Sequence, residues 1–253
     1  MPRPFLAACA LVVISGACAA GDGGSTPIAT DRPSVTDSSL VVPLGSLQFE
    51  NGFTNTVNQG QSVWDGSETL LRLSVASKTE LRLDAPNYFS PQFSPAGFGD
   101  SGLGIKQQLG PTPGGFDLSV VLSLSLPTGA NAISSHGYDP SVQLPWSLAL
   151  SSKWTAAGML SVYWPTEGGR RNVTGETTFL IDRTLFSRWD AFAEYAGDFP
   201  ELGAPRHLLH FGTSFRPTPH QQVDLHGGIG PSAATLEHFI GVGYSFRWQV
   251  WKR

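Results

Sequence analysis

FDLSVVLSLSL (residues 116–126) and HFIGVGYSFRWQV (238–250) decide the fold. In the first, Phe116, Leu118, Val120, Leu122, Leu124 and Leu126 share one face. Asp117, Ser119, Ser123 and Ser125 share the other, with Val121 the exception. In the second, Ile240, Val242, Tyr244, Phe246, Trp248 and Val250 alternate with Gly241, Gly243, Ser245 and Arg247. Successive side chains of a strand point to opposite sides, so each stretch reads as a strand with one apolar and one polar face. Val223 and Leu225 alternate in the same way with Gln222, Asp224 and His226. Trp189, Ala191, Ala193 and Tyr195 oppose Asp190, Glu194 and Asp198, with Phe192 interrupting the polar side.

Outward from these, the pattern gives twelve strands, near 47–57, 68–76, 80–88, 102–110, 115–126, 141–150, 153–164, 172–184, 188–198, 206–215, 221–229 and 238–250. The connections fall into two classes. Tight turns lie near 77–78, 111–114, 151–152, 185–187 and 217–219. Long Gly/Pro/Asn-rich loops lie at 58–67, 89–101, 127–140, 165–171, 199–205 and 230–237. A soluble β-sandwich also alternates, but it does not sort its loops by length. Short periplasmic turns and longer extracellular loops mark bacterial outer-membrane barrels. The expected fold is therefore all-β: a transmembrane antiparallel up-and-down β-barrel of about twelve strands, residues 47–253. An even strand count puts both termini on the periplasmic side. Trp154, Trp189 and Trp248 then fall at periplasmic strand ends, and Tyr88, Tyr163 and Trp164 at extracellular ends, as two aromatic girdles would.

Composition agrees with this. Charged residues make up 14% of the 253 residues, against about 25% in ordinary soluble domains, and aromatics 11%. The mean hydropathy of −0.05 suits strands that are apolar at every second residue. No internal stretch is long and apolar enough for a membrane helix. A net charge of −4 supplies no basic patch for nucleic acid.

Residues 1–19 read as a signal peptide, with Arg3 before an apolar core (Phe5 to Ile14) and Ala17-Cys18-Ala19 before the cleavage point. Cleavage before Gly21, after Cys18-Ala19-Ala20, fits nearly as well. A lipidated Cys18 is the competing reading, and Ser15 stands where lipoprotein signals usually carry Leu. Cys9 and Cys18 are the only cysteines, so signal removal leaves no thiol or disulfide. Residues 20–46, rich in Gly, Ser, Thr, Asp and Pro, read as an extended periplasmic N-terminal segment.

Several segments carry a specific resemblance: TDRPSVTDSS (30–39), LRLDAPNYF (81–89), GLGIKQQLG (102–110), SLPTGA (125–130), GYDPSVQLPWS (137–147), EYAGDFPE (194–201) and HFIGVGYSFRW (238–248). In this order they are similar to the family labelled Putative MetA-pathway of phenol degradation. The resemblance implies an outer-membrane barrel that passes a small, hydrophobic or aromatic solute. It departs from the common barrel ending, in which a final aromatic assists assembly, because Gln249 to Arg253 run past Phe246 and Trp248.

Twelve strands enclose more room than eight, whose side chains fill the interior, and less than a 16-stranded porin. The faces put Arg72, Glu80, Arg82, Asp84, Lys106, Asp117, Glu176, Asp182, Glu194, Arg206, His210, Asp224 and His226 toward the lumen. Such residues either pair with one another to stabilise the wall or contact a solute, and their mixed charge argues against strong ion selectivity. Phe49, Leu71, Leu83, Leu122, Leu124, Val162, Phe211, Leu225, Val242 and Tyr244 are expected to face lipid. If Phe215 pairs with Gln221, His210 lies across from His226 with Asp224 nearby. That group either holds a cation or hydrogen-bonds within the lumen. A lipid-hydrolysing barrel would need His and Ser in a catalytic arrangement; Ser134-Ser135-His136-Gly137 has the wrong order for the barrel phospholipase pattern. His207 and His210 point to opposite faces. A structural, loop-displaying barrel is the third class. No cofactor is expected, and the expected partners are outer-membrane lipid, the barrel-assembly machinery and a small-molecule solute, with the protein a monomer.

Overall fold

The computed structural model describes residues 26–231 and 237–251; residues 1–19, expected to be a signal peptide, lie outside them. Twelve barrel strands follow in order: β1 (Ser46–Asn58), β2 (Gln61–Ala76), β3 (Thr79–Asp84), β4 (Ser101–Gln108), β5 (Phe116–Leu126), β6 (Asp139–Ala149), β7 (Trp154–Tyr163), β8 (Thr174–Phe186), β9 (Trp189–Pro200), β10 (Arg206–Thr218), β11 (Gln221–Ile229) and β12 (Glu237–Gln249). Each pairs antiparallel with its sequence neighbours. β1 closes the sheet on β12, from Ser46↔Gln249 to Asn58↔Glu237. Closure lets the strands pair with one another all round, leaving no open edge, which is the condition for strands to stand in hydrocarbon. The described chain begins and ends at the same end of the barrel, where Ile28 meets Pro219 and Trp251 meets Gly45.

The faces follow the alternation. Leu83, Leu122, Leu124, Val162, Phe211, Leu225, Val242 and Tyr244 are exposed on the outer surface, and Phe49 and Leu71 lie half-exposed beside them. Arg at position 122 or 242, both about half exposed (49% and 50%), should cost about 2–4 kcal/mol in a bilayer. At Ser123, on the inner face, it should cost far less. Equilibrium unfolding in phospholipid vesicles measures this; equal costs at 122 and 123 would overturn the assignment, and a larger cost at 123 would reverse the faces. Trp154, Trp189 and Trp248 are outward at the end bearing the termini, with the Arg183 guanidinium over the Trp154 ring at 4.9 Å. Tyr163 is a correction to the outer girdle: its hydroxyl points inward and donates to Glu176.

Two elements depart from expectation. The first extracellular connection is not a loop over 58–67. β1 and β2 continue to a tight turn at Gln59 and Gly60, both with positive φ (49° and 80°), as a two-residue hairpin turn requires. In this extension Gly66 is buried against the Phe53 ring while Trp64 is exposed, and Gln61 to Ser67 do not alternate between polar and apolar. β3 stops at Asp84 rather than 88. The chain then forms a short hairpin, Tyr88–Pro91 with Gly97–Phe98, which pairs with the upper part of β2.

The largest departure concerns residues 26–45. Expected to extend into the periplasm, they run inside the barrel. The Ile28 amide donates to the Pro219 carbonyl at a terminus-side turn. The chain then climbs to Thr36, which bonds Thr178 of β8 and Glu194 of β9. It descends past Ser39, bonded to Ser119 and Ser147, and leaves beside Gln249, whose amide donates to the Leu44 carbonyl. Pro27, Pro33 and Pro43 cannot donate to a ladder, so the segment forms no strand. Its buried amides need other acceptors, and three wall glutamates supply them. Glu50 accepts from Asp31 and Arg32, Glu194 from Val35 and Thr36, and Glu80 from Val42. Beyond Trp248 the tail folds back, with the Val250 and Trp251 amides donating to the Gly45 carbonyl.

Candidate functional site: a plugged lumen

The lumen divides at mid-height. Its terminus-side half holds two polar clusters that join the segment to the wall. The first lies on β1 to β4. Register sets Arg72 directly across from Arg82 and Glu80 across from Lys106. Like charges directly opposed on neighbouring strands repel, so the Arg72–Arg82 pair needs anions. Glu80 bonds Arg72 through both carboxylate oxygens (2.8 and 3.1 Å), and Glu50 accepts from Arg72 at 2.9 Å. The remaining anion comes from the segment. Asp31 reaches Arg72 at 3.2 Å, Arg82 at 2.5 Å and Lys106 at 3.0 Å. Asp37 adds a contact to Arg82 at 3.1 Å. Arg72, Glu80, Lys106 and Glu50 have no exposed surface, although they project into what would otherwise be a water-filled pore.

The second cluster surrounds Arg32. Gly52 of β1 and Gly243 of β12 are register partners. A Cβ at either position would collide with the Arg32 guanidinium, so the two glycines form the recess in which it lies. There Arg32 pairs with Glu68 and lies 3.4 Å from Asp224 and 3.3 Å from His226 Nε2. Arginine only donates, so His226 Nε2 accepts. His226 Nδ1–H then donates to His210 Nε2 (3.0 Å), and His210 Nδ1–H donates to Glu194 (2.8 Å). The chain runs Arg32, His226, His210, Glu194 in one direction. Phe192, the apolar break in the β9 pattern, packs edge-on against His210 with centroids 5.1 Å apart.

The two histidines meet by a different register from the one expected. Phe215 pairs with Val223, two residues from the expected Gln221, because a tight turn closed by Thr218↔Gln221 and a bulge between Phe215 and Thr218 replace the five-residue loop. His210 thus faces Gly228, and His226 faces Gly212. A two-residue shift leaves the faces unchanged, and the diagonal neighbours still touch. Among the described residues, no group of three His, Cys, Asp or Glu side chains is placed to hold a metal.

The remaining lumen candidates sit higher or at the edges. Asp84 is half-buried and lines the upper cavities. Asp117 accepts from Gln108. Glu176 accepts from Ser161 and Tyr163, Asp182 is half-buried, and Arg206 is exposed at the far rim, paired with Asp198 at 3.0 Å. The sequence pattern did not single out Asp31, Arg32, Glu50 or Glu68. Glu50 was within reach, since it follows Phe49 on an alternating strand.

The far half of the lumen is open. One cavity of about 660 Å³ is lined by Glu68, Leu70, Asp84, Phe89, Asp100 and Ile133, among others. A second of about 280 Å³ shares Asp84, Asp100, Ser125 and Asp139 with it and adds Tyr163 and Trp164. A third, of about 330 Å³, includes Val35 of the segment in its lining. Asp100 clamps the 127–138 loop from here. Burial alone would raise its carboxyl, but the donating amides of Gly129 and Ser135 outweigh it and hold the group below the usual carboxylate range.

His136 Nε2 donates to the Asn131 carbonyl, and the Ser134 hydroxyl accepts from the His136 backbone amide rather than bonding the imidazole.

No curated protein sequence matches the chain. Among solved structures, the fold is similar to the COG4313 outer membrane channel from Pseudomonas putida F1 (12% identity, TM-score 0.63, covering 90% of this chain and 99% of that one). It is also similar to the NanC porin (6% identity, TM-score 0.59, 78% and 98%) and the KdgM porin (12% identity, TM-score 0.56, 78% and 98%). A twelve-stranded barrel with a lipid-facing outer surface and this fold places the protein in the bacterial outer membrane. Residues 30–248 match a family over most of the chain, and the chain belongs to that family, described as Putative MetA-pathway of phenol degradation.

Proposed function

We propose that the protein is a passive channel for a small hydrophobic or aromatic solute, closed at rest by its own N-terminal segment. The observation that carries this is a closed barrel whose far half holds a cavity of about 660 Å³, within the size range of small-molecule sites, above a plug held only by non-covalent contacts. Leu70, Phe89 and Ile133 give that cavity apolar surface beside its carboxylates. The family's association with phenol degradation and the channel-type fold support the solute class. Closure leaves the sheet no free edge for pairing, which supports a monomer. Phe246 and Trp248 on the last strand suit recognition by the barrel-assembly machinery. The geometry around His136 supports transport over lipid hydrolysis.

Liposome permeation with purified protein tests the reading. With residues 26–43 removed, uptake of phenol or benzyl alcohol should exceed that of protein-free vesicles and of a sugar such as stachyose. Lipid hydrolysis in detergent without permeation would instead favour an enzyme. Inertness in both assays, also after removal of the segment, would favour a structural barrel.

A further inference from the structure

The barrel wall carries more positive than negative charge where Asp31 docks. Arg72, Arg82 and Lys106 are buried there, and the wall carboxylates in contact with them are Glu50 and Glu80. Three fixed cations thus face two fixed anions, and two of the cations are cross-strand neighbours. The segment brings two further carboxylates, Asp31, which touches all three cations, and Asp37, which touches Arg82 alone. Both Asp31 oxygens are engaged: Oδ1 by Arg72 and Lys106, Oδ2 by Arg82. Such a forked, multi-donor setting is the usual chemistry for holding a carboxylate. Its charged donors belong to the barrel, while the carboxylate, which also accepts from the Ser38 amide of its own segment, belongs to a tethered chain whose contacts are all exchangeable.

Apolar surface adjoins this charge. Val121, the apolar residue on the lumen face of β5, is the register partner of Lys106 and is wholly buried. Val42 of the segment is buried where its amide meets Glu80, so the segment itself sets an apolar side chain beside its carboxylate, and a solute that displaces it would replace both. A ligand with one carboxylate and a compact apolar body matches both features.

We propose that Arg72, Arg82 and Lys106 form a binding site for the carboxylate of a small solute of benzoate type, for which Asp31 is the built-in competitor. Binding of such a solute and departure of the segment are then coupled, because one carboxylate replaces the other. The proposal rests on the channel reading for the solute's entry, but the site can be measured without transport.

The experiment is calorimetric titration of the folded, detergent-solubilised protein with benzoate and with uncharged benzyl alcohol. Three forms are compared: the wild type, Asp31→Asn/Asp37→Asn, and that variant carrying Arg82→Gln in addition. Removing both segment carboxylates should tighten benzoate binding about tenfold or more, the worth of one charge-assisted hydrogen bond. Arg82→Gln should abolish the gain, and benzyl alcohol should be indifferent to all the changes. If Arg82→Gln does not fold, as judged by heat-modifiable gel mobility, Lys106→Gln takes its place. Equal benzoate affinity in the wild type and the Asn variant overturns the proposal. So does a gain that survives loss of Arg82 or Lys106, or one that benzyl alcohol shares. Benzoate binding that follows this pattern without permeation of either compound would sustain the site and sink the channel reading.

Discussion

Deleting residues 26–43 should turn a silent barrel into a conducting one. With the segment in place, Arg72, Lys106, Glu50 and Glu80 expose no surface, so no water column passes them. Without it, the same groups line a twelve-stranded lumen, which is wider than side chains alone can fill, and water hydrates them. The ladder is untouched, because β1 begins at Ser46 and still closes on β12. In planar bilayers the full chain should show rare or no steps, and the deletion frequent steps of several-fold larger mean current. Gly243→Leu is the independent check, since it fills the recess that receives Arg32 and should give intermittent opening with the segment still attached. A deletion variant as silent as the parent would mean that the far-side loops close the pore and the segment does not.

The barrel was legible and the plug was not, for one physical reason. Lipid on one side and a polar interior on the other impose a period of two on every residue within the membrane, and that period appears in FDLSVVLSLSL. Where the constraint lapses, the reading failed. Residues 61–67 form the start of β2 but carry no polar–apolar alternation, so Gly66, Ser62 and Asp65 resembled a loop. The turn chemistry around Arg216 and Pro217 concealed a bulge, and the β10–β11 register was missed by two residues. Residues 26–45 obey no period at all. Thr, Ser, Asp and Pro in an unpaired strap look the same whether water or a wall glutamate accepts the amides. Only long-range partners distinguish the two cases, and those pairings, Asp31 with Arg82 or Thr36 with Glu194, span 51 and 158 residues. The alternation did place Arg72, Glu80, Arg82 and Lys106 on one face. It could not show that Arg72 opposes Arg82, which is the fact that makes a segment carboxylate necessary.

Replacing Arg72 with Ala should be among the most damaging single changes, and its cost should depend on the plug. Arg72 is fully buried and donates to Glu80, Glu50 and the Leu40 and Ala29 carbonyls. Removing it strands carboxylates in a site without water, and breaking a buried ion pair in this way costs about 3–5 kcal/mol. In the barrel lacking residues 26–43 the same carboxylates are hydrated. The loss should then fall toward the 0–1 kcal/mol of an exposed pair. Urea unfolding in phospholipid vesicles, run as a double-mutant cycle between Arg72→Ala and the deletion, gives the coupling directly. A coupling of a few kcal/mol means that the segment creates the dry environment on which the wall cluster depends. The same cost in both backgrounds would show that the wall strands bury Arg72 unaided. The segment would then be a passenger in the lumen, and its withdrawal could not be driven by a solute competing for that cluster.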